Sequence, residues 1–215
     1  MTIQTMLLTM GSGMLKTCGI FILSLIFSLP LGMVVCFLRK SKNKFVSNVT
    51  RFFISVLRGT PLMLQLMVWY FGPFYLFQWS IRAWRFPALI VGFSINYAAY
   101  FAEIYRGGIE SMAIGQYEAA EVLGYTKTQT FFKIILPQVI KRVLPAVTNE
   151  VITLVKDTSL AFTLAYQEVF SISKQIASKE NSLIPFVVAG VFYYVANYVV
   201  AFVMERIEKR LNYYK

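Results

Sequence analysis

The chain has 215 residues, of which 57% are hydrophobic and 14% charged, with a formal charge of +11. Soluble domains carry about 45–50% apolar and about 25% charged residues, so composition excludes an ordinary water-soluble globule. The chain has no histidine, which removes the commonest general base and metal ligand.

Residues 18–38 are apolar and long enough to cross a bilayer, which takes about 20 residues. Ser24, Ser28, Pro30 and Gly32 interrupt the run, and small residues favour close helix packing. Cys18 and Cys36 fall within it and read as packing residues rather than a disulfide. A signal peptide carries its cations before the apolar run; here Arg39, Lys40, Lys42 and Lys44 follow it. That cluster marks a cytoplasmic segment and sets the N-terminus outside.

A second span is expected over 52–77, broken at Arg58-Gly59-Thr60-Pro61, because proline removes a backbone donor and clashes with the preceding turn. Thr60 and Pro61 are placed as the N-cap and first residue of a new helix. The third span, 87–108, carries Asn96, Tyr97, Tyr100, Glu103 and Arg106. Glu103 and Arg106 are three apart and can pair, either as a structural ion pair near the inner surface or as part of a gate.

Segment 109–142 is polar and holds Glu118-Ala119-Ala120-Glu121-Val122-Leu123-Gly124. Glutamate and alanine favour helix, and Gly124 can adopt the left-handed conformation that ends one. From composition alone this is an ordinary surface helix. A fourth span is expected over 143–165, with Asn149, Glu150, Thr153, Lys156 and Asp157 inside it. Residues 166–182 are polar and expected to cap the outer face, and 184–204 form a fifth span.

The basic residues test this topology. Fifteen of the 21, including Arg206, Lys209, Arg210 and Lys215 in the tail, fall on the inner side. Five (Lys16, Arg82, Arg85, Lys174 and Lys179) fall outside, and Lys156 lies within a span. The bias fixes the orientation and accounts for the net charge through lipid headgroups, without nucleic acid. Trp69, Trp79 and Trp84 are expected to include interfacial anchors. There is no internal repeat or second domain, so residues 1–215 read as a single transmembrane domain.

Four motifs carry a resemblance. Glu118-Ala119-Ala120, Gly124 and then Ile134, Leu136 and Pro137 resemble the cytoplasmic coupling loop of permease subunits of ATP-binding-cassette importers. Arg58-Gly59-Thr60-Pro61-Leu62, Tyr105-Arg106-Gly107-Gly108-Ile109 and Lys156-Asp157-Thr158-Ser159-Leu160 resemble its polar amino-acid branch, the histidine, arginine, glutamine and cystine permeases. The resemblance covers roughly residues 15–210. It implies an all-α permease with a cytoplasmic coupling helix over 116–128, between spans three and four. It implies a second permease subunit, identical or paralogous, two ATPase subunits and an extracellular binding protein. It places the chain in a bacterial or archaeal cytoplasmic membrane. ATP and magnesium would be bound by the ATPase subunits, since no Gly-x-x-x-x-Gly-Lys-Ser/Thr is present here. Glu118, Ala119, Ala120, Leu123 and Gly124 would form the docking surface.

The substrate path is read from intramembrane charge, which is expensive and functional by default. Glu150 and Asp157 are seven apart, two helical turns or about 10 Å, on nearly one face, with Thr153 on an adjacent stripe. Two carboxylates suit an ammonium or guanidinium group. The half-helix start at Gly59-Thr60-Pro61 would offer amides to a carboxylate, and Arg58 would sit at the inner end of the path or snorkel to headgroups. Gating and structural pairing, including neutralisation of Asp157 by Lys156, are the other roles open to the two acids. Against the importer reading stand an ion-gradient-driven transporter or channel, and a membrane-embedded enzyme. The enzyme lacks any recognisable nucleophile and base.

Overall fold

The structure is a computed structural model that describes residues 2–78 and 80–211. Its elements, among the described residues, are helical: α1 (Ile3–Arg39), α2 (Lys44–Gly59), α3 (Leu62–Phe77), α4 (Ile81–Glu110) and α5 (Ile114–Val122). Then come α6 (Lys127–Gln129), a π-helical turn (Thr130–Ile135), α7 (Leu136–Asp157), a 3-10 segment (Thr158–Leu164), α8 (Val169–Glu180) and α9 (Ile184–Leu211).

By length and composition α1, Arg82–Glu110 and α9 are long and apolar enough to cross a membrane. The pair α2 and α3 qualifies together but bends by 110° at its junction, where the sequence placed the proline break. α7 has 22 residues, of which Lys141, Arg142, Glu150, Lys156 and Asp157 are charged, and it falls short of that test.

α4 is the hub. Phe93, Tyr97 and Phe101 on it are fully buried, and α1, α3 and α7 all pack against it. α1 meets it along Ile20, Ser24, Ser28, Gly32 and Val35, a buried stripe with helical spacing. Gly32 makes the crossing possible: a Cβ there would lie 2.7 Å from Phe101 Cβ. The small residues that interrupt the first apolar run thus form its packing face, while Ile22, Ile26, Val34 and Phe37 remain exposed on the other side. Cys36 is fully buried and Cys18 half-buried, and both are free.

Several boundaries differ from expectation. α1 begins at Ile3, about 15 residues before the expected span; at 1.5 Å per residue its 37 residues run for about 55 Å, well beyond a hydrocarbon core of about 30 Å. The extra turns have a partner: Met6 and Met10 pack with Val169, Ile172 and Ile176 of α8 and with Ala189 of α9. Segment 166–182 is therefore partly buried, with α8 packed against both α1 and α9. α7 starts at Leu136, ahead of the span expected over 143–165, since helical backbone runs on through Lys141 and Arg142. Backbone dihedrals stay helical at Gln129, Thr130 and Ile135, so residues 127–157 form one unbroken rod with a wide turn near its start.

At one end of the bundle Arg106 Nη2 pairs with Glu103 Oε2 at 2.6 Å and Nη1 with Glu110 Oε2 at 2.5 Å. Lys40 Nζ reaches Glu110 Oε1 at 3.3 Å and ties the end of α1 to the end of α4. At the other end Trp84 Nε1 donates to Trp69 O at 2.9 Å, joining α4 to α3. Trp79 and Lys215 lie outside the described residues.

Candidate functional site

The break between α2 and α3 is held by two buried amides. Gln65 Nε2 donates to Leu57 O (2.8 Å) and Thr60 Oγ1 (2.8 Å). Asn96 Nδ2, on α4, donates to Leu57 O (3.2 Å) and Gln65 Oε1 (3.0 Å). A 110° bend leaves the last carbonyls of α2 without helical donors, and buried carbonyls need partners; these amides supply them. Gln65 and Asn96 are 9% and 4% exposed.

Thr60 is not the N-cap of α3. It ends α2, and its hydroxyl donates back to Val56 O at 2.8 Å. Pro61 stands at the cap position and no side chain caps α3. The cause is local: helical backbone resumes only at Leu62, one residue past the expected start, so the Thr60 hydroxyl turns back to α2 and accepts from Gln65 instead. Gly59 is exposed with open space around its Cα.

Two tyrosines of α4 link this break to α7. The Arg58 guanidinium lies 5.1 Å from the ring centroid of Tyr100, a cation–π contact. Tyr97 sits one turn away, with ring centroids 6.2 Å apart, and its hydroxyl donates to Asp157 Oδ2 at 2.7 Å. Asp157 therefore has a tyrosine partner from another helix, a pairing the sequence reading did not weigh, while Lys156 is exposed. Glu150 is half-buried and, among the described residues, makes no hydrogen bond or close ion pair; the charges of Arg58 and Asp157 act on it. Thr153 Oγ1 donates to Asn149 O at 2.9 Å on its own helix.

Arg58, Glu150 and Asp157 are thus brought together around Tyr97 and Tyr100, whereas the Thr60 and Thr153 hydroxyls are occupied by backbone carbonyls. The apolar cavity lined by Met33, Tyr105, Ile109, Val143 and Val147 contains none of the predicted path residues.

The predicted coupling segment is two pieces rather than one helix over 116–128. α5 runs Ile114–Val122 and stops in a Schellman arrangement: Gly124 N donates to Glu121 O (2.9 Å) and Tyr125 N to Ala120 O (3.0 Å). Gly124 has φ +77°, a conformation that costs other residues about 1–2 kcal/mol. Thr126 then starts α6 with a capping box: Thr126 N donates to Gln129 Oε1 (2.9 Å) and Gln129 N to Thr126 Oγ1 (3.3 Å). Ala120 is buried against the segment that follows, while Glu118, Ala119 and Glu121 are exposed. Val122 and Leu123 are 88% and 72% exposed, and Ile114 is exposed too. Such an apolar surface on a nine-residue helix is unusual for a free aqueous face.

Sequence reasoning missed Glu168. It is fully buried at the start of α8 and accepts from Ser171 N (2.6 Å), Phe170 N (2.7 Å) and Tyr193 Oη (2.9 Å). Burial pushes its carboxyl above the usual carboxylate range, although these three donors pull the other way. The only signal in the sequence was an acid three residues before Ser171 at a helix start, which is too common to single out.

Residues 28–213 match the family described as "Binding-protein-dependent transport system inner membrane component". The L-cystine transport system permease protein TcyB of Bacillus subtilis (strain 168) is 34% identical over 208 residues, 95% of this chain and 87% of its own length. The arginine transport system permease protein ArtQ of the same organism is 36% identical over 201 residues, 93% of this chain and 91% of its own. A crystal structure of an amino acid ABC transporter with histidines superposes with TM-score 0.85 at 30% identity, covering 94% of each chain. The inward-facing MetNI methionine ABC transporter, at 18% identity and TM-score 0.78 over 99% of this chain and 100% of its own, shares the fold. This chain belongs to the family of inner-membrane components of binding-protein-dependent transport systems, a family of multi-pass transporter permeases rather than catalytic enzymes.

Proposed function

We propose that the chain is the membrane-spanning subunit of an ATP-driven importer that receives a polar amino acid from an extracellular binding protein. The single observation that carries the coupling half of this reading is α5. It exposes apolar side chains at the bundle end where α1 and α4 finish, among basic residues, and stops at a left-handed glycine in the position of the family's docking loop. An ATPase surface would cover it. The chain works as one domain over residues 1–215, with five spans: α1, the bent pair α2–α3, α4, α7 with its 3-10 extension, and α9. The N-terminus is outside and the C-terminus cytoplasmic. Two such subunits, identical or paralogous, stand with two ATPases in a bacterial or archaeal cytoplasmic membrane, and ATP and magnesium belong to the ATPases.

We assign the substrate path to Arg58, Gly59, Thr60, Thr153, Glu150 and Asp157. The uncapped start of α3 offers amides to the ligand carboxylate. Glu150 and Asp157 offer negative charge to its other end. Docking at Glu118, Ala119, Ala120, Leu123 and Gly124 moves α7, which carries both acids, through the continuous rod 127–157.

The test is ATP hydrolysis by the purified complex with its binding protein against a panel of amino acids. Stimulation by cationic or polar members is expected, and Glu150→Gln should lower the preference for a cationic side chain. Unchanged uptake and selectivity in Glu150→Gln would remove the path assignment. Uptake that persists without ATP while a proton gradient is held would remove the importer.

A further inference from the structure

Arg58 and Glu150 are opposite charges that face one space without meeting. Among the described residues neither makes a hydrogen bond or a close ion pair, yet the charge of Arg58 acts on Glu150. We propose that Arg58 is a tethered competitor of the substrate: its guanidinium swings from the Tyr100 ring to Glu150 and expels the positive end of the amino acid held there. The inference rests on the path reading of Glu150 and adds to it a competitor built into the chain.

Tyr97, Tyr100 and Glu103 stand on successive turns of α4. Tyr97 donates to Asp157 Oδ2 at 2.7 Å, and Glu103 Oε2 accepts from Arg106 Nη2 at 2.6 Å and from Arg106 Nε at 3.0 Å. Tyr100 lies between them and carries the Arg58 guanidinium 5.1 Å from its ring centroid. The charge of Arg58 reaches Glu103 as well as Glu150. Glu103 is taken by Arg106, so of these two acids Glu150 is the one with a vacant seat.

The side chain is able to make the move. Arg58 is exposed in the last turn of α2, and the next residue, Gly59, has open space around it. An exposed cation–π contact and an exposed ion pair are of similar, small weight, so neither seat holds the guanidinium firmly. A half-buried carboxylate stripped of its cation is costly to enclose. Arrival of Arg58 exchanges one positive partner for another, so the substrate departs without stranding Glu150. An ammonium or guanidinium group on the substrate competes for the same carboxylate oxygens.

The experiment measures equilibrium binding of radiolabelled L-arginine, L-glutamine and L-cystine to the complex of permeases and ATPases in nanodiscs. The binding protein is omitted, so that the intramembrane site alone counts. Arg58→Gln should tighten binding about fivefold, the weight of one exposed ion pair. The same variant should slow uptake of the bound amino acid into proteoliposomes supplied with binding protein at saturating substrate. Arg58→Lys keeps the cation and should stay near wild type. Glu150→Gln removes the seat, so adding Arg58→Gln to it should bring no further change. Tighter binding with slower turnover, absent on the Glu150→Gln background, supports the proposal. Weaker binding in Arg58→Gln would make Arg58 a substrate contact and overturn it. Equal binding in wild type and Arg58→Gln, no binding in either, or the same gain on the Glu150→Gln background overturns it too. The two readings fail separately: if Glu150→Gln weakens binding while Arg58→Gln does nothing, the competitor falls and the path stands, whereas unchanged binding in Glu150→Gln removes both.

Discussion

The left-handed glycine at the end of α5 can be challenged with a graded series. A Cβ on Gly124 would meet nothing within 4 Å, so the first side-chain carbon meets no steric obstacle in this chain alone. The cost is conformational: φ +77° is about 1–2 kcal/mol unfavourable for alanine and less for asparagine, which tolerates this region. Valine suffers most, because β-branched residues are rare there. α5 has nine residues, and helices shorter than about 12–15 residues are marginal alone. A residue that cannot hold the Schellman bonds from Gly124 and Tyr125 therefore loosens the whole element, and a docking partner must restore it. At about 1.4 kcal/mol per factor of ten, Gly124→Ala should weaken ATPase association about tenfold, Gly124→Asn less and Gly124→Val more. Gly124→Trp shares the alanine penalty, so any further loss reports how closely the partner approaches. Association of ATPase with permease in nanodiscs, and substrate-stimulated ATP hydrolysis, are the assays. Equal association and equal coupling in the Asn, Ala, Val and Trp variants would refute both the backbone argument and the docking role.

Two further outcomes are expected. Gln65→Leu removes donors to Leu57 O and Thr60 Oγ1 and the acceptor of the buried Asn96 amide, at about 1–3 kcal/mol; a thermal midpoint several degrees lower should follow, and an unchanged midpoint would mean water replaces the amide at no cost. Glu168 has its carboxyl raised by burial, so between the ordinary carboxylate range and that raised value the folded state holds a proton the unfolded state releases. Stability contributed by Glu168 is full below this window and falls as pH rises through it. Glu168→Gln should flatten this part of the pH profile of thermal unfolding, and parallel profiles for the two proteins would contradict the assignment.

The legible parts were those set by local chemistry. Apolar runs located the helices now seen as α1, α4 and α9, proline located the 110° bend, and Gly124 located the end of α5. Glu150 and Asp157 were placed on one helix by spacing alone, and α7 carries both. What was not legible depends on partners distant in sequence. Asn96 reaches Leu57 across 39 positions, and Tyr97 reaches Asp157 across 60. Neither pairing leaves a mark on its own segment. Thr60 was misplaced for a local reason: the helix resumes one residue later than expected, with Pro61 at the cap position. The start of α7 at Leu136 was not legible from the apolar run over 143–165, because hydropathy changes at Lys141 and Arg142 whereas backbone hydrogen bonding continues past them.

The wide turn Thr130–Ile135 gives the rod a property that a plain α-helix lacks. A π turn accommodates an additional residue per winding, and each residue of an α-helix advances the screw by about 100°. Rewinding that segment to ordinary pitch would therefore rotate everything beyond it by roughly a quarter of a revolution. Asp157 would swing away from the Tyr97 hydroxyl, so a push received at one end can leave as a twist at the other.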